Sequence, residues 1–263
     1  MAIPDHVLGA DPLSAPSGWD SQWPNGAASA YTNECVFQEP FVLFGFMAAV
    51  STLSFITGVL VLPQRQTALV AKQAAHVDIL SGGRLRLGVG IGWNRAEYSA
   101  LGADFGKRGR KLEEQVAVLR HLWTEPVVHF LGEFHTLEGV GIRPFPLQRP
   151  IPIWMGGTAT AALERIGRVA DGWYSDPTVG VERAAACLPV IRSAAEQAGR
   201  DPTAIGFEAR LHMKMRSAGE LEVEANQWQQ LSATHLTVDT KGCGRTSVDD
   251  HLEALSRIAH ICS

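Results

Sequence analysis

Basic residues are too few in this sequence to build a field for polyanions: 23 Lys and Arg stand against 27 Asp and Glu, a formal charge of −4. Nucleic acid and anionic membrane surfaces are therefore not expected partners. Cysteine is scarce as well. Cys35, Cys187, Cys243 and Cys262 form no C-x-x-C pair and have no histidine at ligand spacing. No metal site is expected, and the thiols read as those of a reduced, cytoplasmic protein. His76, His129, His135, His212, His235, His251 and His260 form no metal-like group either. A G-x-S-x-G elbow, a Walker loop and an H-E-x-x-H helix are all missing. Met1 to Ala10 lack the basic and apolar start of a signal peptide.

One absence points the other way. Phe41 to Leu62 is 22 residues without a formal charge, long enough to span a bilayer. Ser51, Thr52, Ser54 and Thr57 thin its apolar content, Gly45 and Gly58 interrupt it, and no basic cluster flanks it. The run parses better as a buried helix, Pro40 to Val50, followed by a buried strand, Ser54 to Val61. No membrane partner is expected.

The chain of 263 residues is 46% hydrophobic and 19% charged, enough for a large core and too apolar for disorder. Residues 1–33 look irregular, with Pro4, Pro12, Pro16 and Pro24, and only Ala2-Ile3-Pro4 hints at a strand. Helical patterns follow at Gln66–Leu80, stopped by Gly82-Gly83, and at Lys107–Trp123, where Leu112, Val116, Leu119 and Trp123 recur at helical spacing. Residues 125–150 read as an insertion: a small hairpin around Gly132, then a Pro-rich run. Further helices are expected at Ala159–Ala170, Val181–Ala198, Glu220–Leu231 and Val248–Ala259. Strands start near 54, 85, 151, 172, 205 and 235, mostly at the period of about 30 residues of a strand–helix unit. This alternation means a parallel sheet, open or closed as a barrel, in a single domain over 1–263. Six strands and a stub leave an eight-stranded barrel without its first β-α unit. An apolar groove is expected at that gap, making the isolated chain unstable or prone to associate, as in a homodimer.

In either architecture a ligand binds at the carboxyl ends of the strands. Four stretches lie there: Asp5-His6, Thr57-Gly58-Val59, Gly90 to Asn94, and Met155-Gly156-Gly157-Thr158. Gly88, Gly90 and Gly92 alternate, which lets something come close to the backbone; packing against a neighbouring strand is an equally good account. Trp93 and Asn94 offer a flat ring and an amide to a planar polar ligand. Gly156-Gly157 ends a strand, Thr158 can cap the following helix, and the exposed N–H groups favour a phosphate; an ordinary capped helix is the alternative. His6, beside a carboxylate, is the candidate for moving a proton, or else a structural histidine.

Leu80-Ser81-Gly82-Gly83-Arg84-Leu85, Gly88-Val89-Gly90-Ile91-Gly92-Trp93-Asn94, Arg108-Gly109-Arg110-Lys111-Leu112-Glu113-Glu114, Pro152-Ile153-Trp154-Met155-Gly156-Gly157 and Asp171-Gly172-Trp173 together resemble the bacterial luciferase-like oxidoreductases, nearest the branch that uses coenzyme F-420. The resemblance implies an α/β fold of the TIM (β/α)8 barrel type with a flavin-like cofactor at its carboxyl-end mouth. It places catalytic His6 near the reactive ring with Asp5 beside it. Thr57, Gly58 and Val59 fall at a strand end where the family often has a non-proline cis peptide. Gly156, Gly157 and Thr158 match its phosphate-binding turn, and Gly92, Trp93 and Asn94 its cofactor-side loop. Family members usually carry a strand and helix before the Asp-His dipeptide, and here only Ala2-Ile3-Pro4 precedes it. The implied activity is F-420-dependent hydride transfer on a small organic substrate. Its alternatives are an FMN-dependent monooxygenase of the same fold and an inactive binding or interaction protein.

Overall fold

In the computed structural model residues 1–11, 32–213, 216–240 and 244–261 are described. Residues 12–31 of the irregular stretch expected at 1–33, together with Cys243 and Cys262, lie outside them. Two compact units divide at Met155 and Gly156.

The first unit opens with β1 (Ala2–Ile3), then α1 (Pro40–Val50), β2 (Phe55–Thr57) and β3 (Leu60–Val61). After these come α2 (Thr67–Ser81), β4 (Leu85–Gly90), α3 (Arg95–Ala100) and α4 (Arg108–Thr124). A hairpin of β5 (Val128–Leu131) and β6 (Thr136–Val140) precedes β7 (Ile153–Gly156). β1 pairs with β2, β2 and β3 with β4, and β4 with β7, all in parallel, while β5 and β6 are antiparallel.

Each boundary has a local cause. Glu39 caps α1 by accepting from the Val42 N–H at 2.8 Å, with Pro40 in the first turn, where its missing N–H costs nothing. Gly82, at φ +69, closes α2 in the left-handed conformation. The side chain of Asn94 accepts from Glu97 N–H and starts α3, a helix the spacing of apolar residues did not signal. Arg84 then ties the ends together, donating to the carbonyls of Ser51, Leu53 and Ser81.

Two expectations need correction. The strand over 54–61 is broken at a cis peptide between Gly58 and Val59, so β2 and β3 meet β4 at separate registers. The helix Pro40–Val50 is not wholly buried: Phe41 and Phe44 pack inward, but Val42, Phe46 and Val50 are exposed. Among the described residues no helix is long and apolar enough to cross a membrane.

The second unit holds α5 (Thr160–Val169), β8 (Gly172–Tyr174), α6 (Val181–Gln197), β9 (Gly206–His212), α7 (Ala218–Gln230), β10 (His235–Asp239) and α8 (Val248–Ile261). β9 pairs in parallel with β8 and with β10. Ser217 and Glu220 form a capping box at the start of α7. Alternation sorts the strands into two faces. Leu211, Leu236 and Val238 pack on Leu221 of α7 and on Ala254 and Ile258 of α8. Phe207 stacks on Trp173 and meets Trp228 of α7 edge-on.

Candidate functional site

The first unit gathers its polar groups where β1, β3 and β4 end. Asp5 is 4% exposed and accepts from the Val61 N–H at 3.0 Å. Arg65 reaches the same carboxylate at 2.8 Å through Nη2 and also binds Glu39 at 3.0 Å. Burial works against the Arg65 charge, but Asp5 and Glu39 outweigh it and raise its pKa. Asp5 is thus engaged in joining β1 to β3 and to the chain before α1. A role on a cofactor, expected for Asp5, would require a group that this pairing already holds.

His6 follows immediately. Its Nδ1 lies 3.1 Å from Oε2 of Glu97, and its ring meets Phe37 and Trp93 edge-on. Glu97 is 1% exposed and is a carboxylate with four donors: Val7 N–H, Leu8 N–H, Gln64 Nε2 and His6 Nδ1. Burial alone would raise its pKa. The His6 bond and charge, with the Leu8 and Val7 N–H groups, prevail and hold it below the usual range. An ionised carboxylate is acceptor-only, so His6 presents an N–H to it at Nδ1. The segment carrying Gln64 is itself fixed from α4. Lys111 Nζ donates to Pro63 O, and Gln115 Nε2 to Leu62 O and Arg65 O.

Glu97 was missed by reasoning from sequence. Its signal was its place three residues after Asn94, a pattern that marks a helix start; only the tertiary fold turns it toward His6. Asn94 is 2% exposed and its Oδ1 caps α3, which gives the amide a structural task. Thr57 is fully buried and its hydroxyl donates to Gly88 O at 2.6 Å.

The alternating glycines have a structural cause. A Cβ on Gly88 would stand 1.9 Å from Thr57 O, one on Gly90 2.6 Å from Val59, and one on Gly92 2.5 Å from Val61. The close approach these glycines permit is that of β2 and β3, bent at the cis Gly58–Val59 bond. Gly92, at φ +62, also requires glycine for its backbone. Trp93 remains a partly exposed ring beside His6.

In the second unit Gly156-Gly157-Thr158 leads into α5. Gly157 has φ +131, and a Cβ there would lie 2.8 Å from that of Ala162. Thr158 does not cap the helix. Ala159 holds the cap position without a side-chain bond, and Thr158 Oγ1 instead accepts from Arg183 Nη2 at 3.0 Å. The first N–H groups of α5 are therefore left uncapped beside a guanidinium, a combination that fits a phosphate. Trp173 Nε1 donates to Gly157 O at 3.0 Å and fixes the turn from β8.

The match to the family model described as "Luciferase-like monooxygenase" covers residues 16–245. A Mycobacterium tuberculosis protein is 41% identical over 174 residues, 66% of this chain and 58% of the relative. The chain thus spans less than two thirds of that relative's length. An FMNH(2)-dependent dimethylsulfone monooxygenase from Pseudomonas fluorescens is 36% identical over 164 residues, 60% of this chain and 44% of that one. Among solved structures, an F-420-dependent secondary alcohol dehydrogenase in complex with an F-420–acetone adduct is 17% identical with a TM-score of 0.62, over 87% of this chain and 77% of that one. At that identity the likeness shows the fold alone, an α/β barrel with parallel strands.

Proposed function

The chain belongs to the luciferase-like monooxygenase family, and from that premise we propose an oxidoreductase that moves a hydride between coenzyme F-420 and a small organic substrate. The His6–Glu97 pair carries this reading. Held at Nδ1 by a buried carboxylate, His6 is the group to receive the hydroxyl proton as a substrate alcohol is oxidised and to return it in the reverse direction. Glu97 stabilises the imidazolium and fixes the ring, while Trp93 and Phe37 limit its rotation. Within the second unit, the uncapped start of α5, Gly157 and Arg183 suit a phosphate. When bound, a deazaflavin or flavin supplies the ring that exchanges the hydride.

The relative named as FMNH(2)-dependent supports a second reading, a flavin monooxygenase. Titrating the purified chain with F-420 and with FMN, oxidised and reduced, and following cofactor fluorescence separates them. Tight binding of F-420 with much weaker binding of FMN is the expected result. Preference for FMN transfers the chain to the monooxygenase reading, and binding of neither overturns both.

A further inference from the structure

The face of β8–β10 turned away from α7 and α8 is polar. Glu208, Arg210 and His212 project there from β9, between residues that pack against helices, and Thr237 and Asp239 stand opposite Arg210 and His212 on β10. Its carboxylates have partners. Glu208 accepts from the Thr237 hydroxyl, and Asp239 Oδ2 lies 3.3 Å from His212 Nδ1. His212 Nε2 meets the carbonyl of Pro177 at 2.9 Å, so both of its nitrogens face acceptors.

Arg210 is different. Its Nε donates to Ser175 O at 2.9 Å, and its guanidinium lies 4.4 Å from the centre of the Tyr174 ring. Those two contacts fix the plane of the group and engage Nε and the ring face, not Nη1 or Nη2. Arg210 has no carboxylate partner among the described residues. Close by, the Oγ of Ser175 is buried and has no hydrogen-bond partner. An oriented, half-buried guanidinium with its fork open is a receptor for a planar anion.

We infer that Arg210, within the second unit, is a binding site for the carboxylate of a small organic acid. The binding is a property of the second unit and does not depend on the oxidoreductase reading. A phosphate dianion fits less well, since one guanidinium offers a single charge. The Thr158–Arg183 turn, where a guanidinium meets the uncapped start of α5, suits it better.

The test is a ligand-observed NMR titration of the full chain with sodium benzoate and with benzamide, which share a flat ring but differ in charge. Benzoate is expected to bind at least tenfold more tightly than benzamide. Arg210→Gln should remove that preference, and Arg210→Lys, which keeps the charge and loses the fork, should retain only part of it. Should Arg210→Gln melt abnormally, the lysine variant and the wild-type comparison still decide. Equal binding of the two probes, or benzoate binding undiminished in a folded Arg210→Gln, overturns the inference. So does loss of F-420 and FMN binding in Arg210→Gln, since the anion would then be the cofactor's. Because the titration needs neither cofactor nor turnover, it can fail while cofactor binding stands, and the reverse.

Discussion

Replacing Glu97 by Gln changes one oxygen into an NH2 group at the point that holds His6. Val7 and Leu8 donate to Oε1 at 2.6 and 3.1 Å, while His6 Nδ1 and Gln64 Nε2 reach Oε2 at 3.1 and 3.2 Å. In Glu97→Gln the retained carbonyl keeps the two backbone donors, so the new NH2 faces two donors. His6 can adapt by moving its proton to Nε2 and accepting at Nδ1, and Gln64 by turning its amide so that Oε1 accepts, but every bond to the group is then neutral. A hydrogen bond to a charged group contributes about 1.5–3 kcal/mol and a neutral one about 0.5–1.5, and four bonds change from the first kind to the second. The sum is a loss of about 2–4 kcal/mol, or a fall in melting temperature of about 5–15 °C for a chain of this size. Thermal unfolding reads the first effect, and the 15N spectrum of the His6 ring reads the second. The wild type should carry its proton on Nδ1, the variant on Nε2. Turnover in the variant should fall by about 10²-fold or more, the typical share of a positioned acid–base group. A wild-type ring protonated only at Nε2, or the same ring spectrum in both proteins, would falsify the account of His6.

Gly157→Val should weaken cofactor binding, measured by fluorescence titration, because φ +131 is strained for any side chain and its Cβ would press on Ala162; a strain of about 1–3 kcal/mol is expected. Glycine substitutions should divide by position. Gly45→Ala, with nothing within 4 Å of the added methyl inside α1, should raise the urea midpoint by the equivalent of about 0.5–1 kcal/mol, whereas Gly88→Ala, aimed at Thr57 O, should prevent the native pairing of β2 with β4. Acid should act through Glu97 and Glu114, both held below the usual carboxylate range. For Glu114, burial would raise the pKa, but bonds from His135, Phe134 N–H and Glu133 N–H outweigh it. Lowered folded-state values mean that stability is fully present above the unfolded carboxylate pKa of about 4.3 and is lost as pH falls through the folded values. Urea midpoints at neutral and acidic pH should therefore diverge less in Glu114→Gln than in the wild type, and an equal acid loss in both proteins would remove Glu114 from the explanation.

Local signals in the sequence determined most of the helices and strands. Charge-free Pro40–Val50 forms the expected helix because Glu39 and Pro40 start it, and Gly82 ends α2 where its left-handed φ demands glycine. The hairpin around Gly132 and the run of strands after residue 150 were likewise written in turn residues and apolar period. The family was legible because the Ser81 to Trp93 run is specific. Partnerships over long sequence distances were decided only by the tertiary structure. Glu97 meets His6 across 91 residues, Asp5 meets Arg65 across 60, and neither spacing leaves a periodic trace. Gly88, Gly90 and Gly92 announced a close approach but not its source, because a glycine records the absence of a side chain and not the identity of its neighbour. Arg210 was invisible for the same reason. Alternation along β9 predicts that it leaves the face of Leu211, but which carboxylates on that face already have partners depends on β8 and β10 lying beside it.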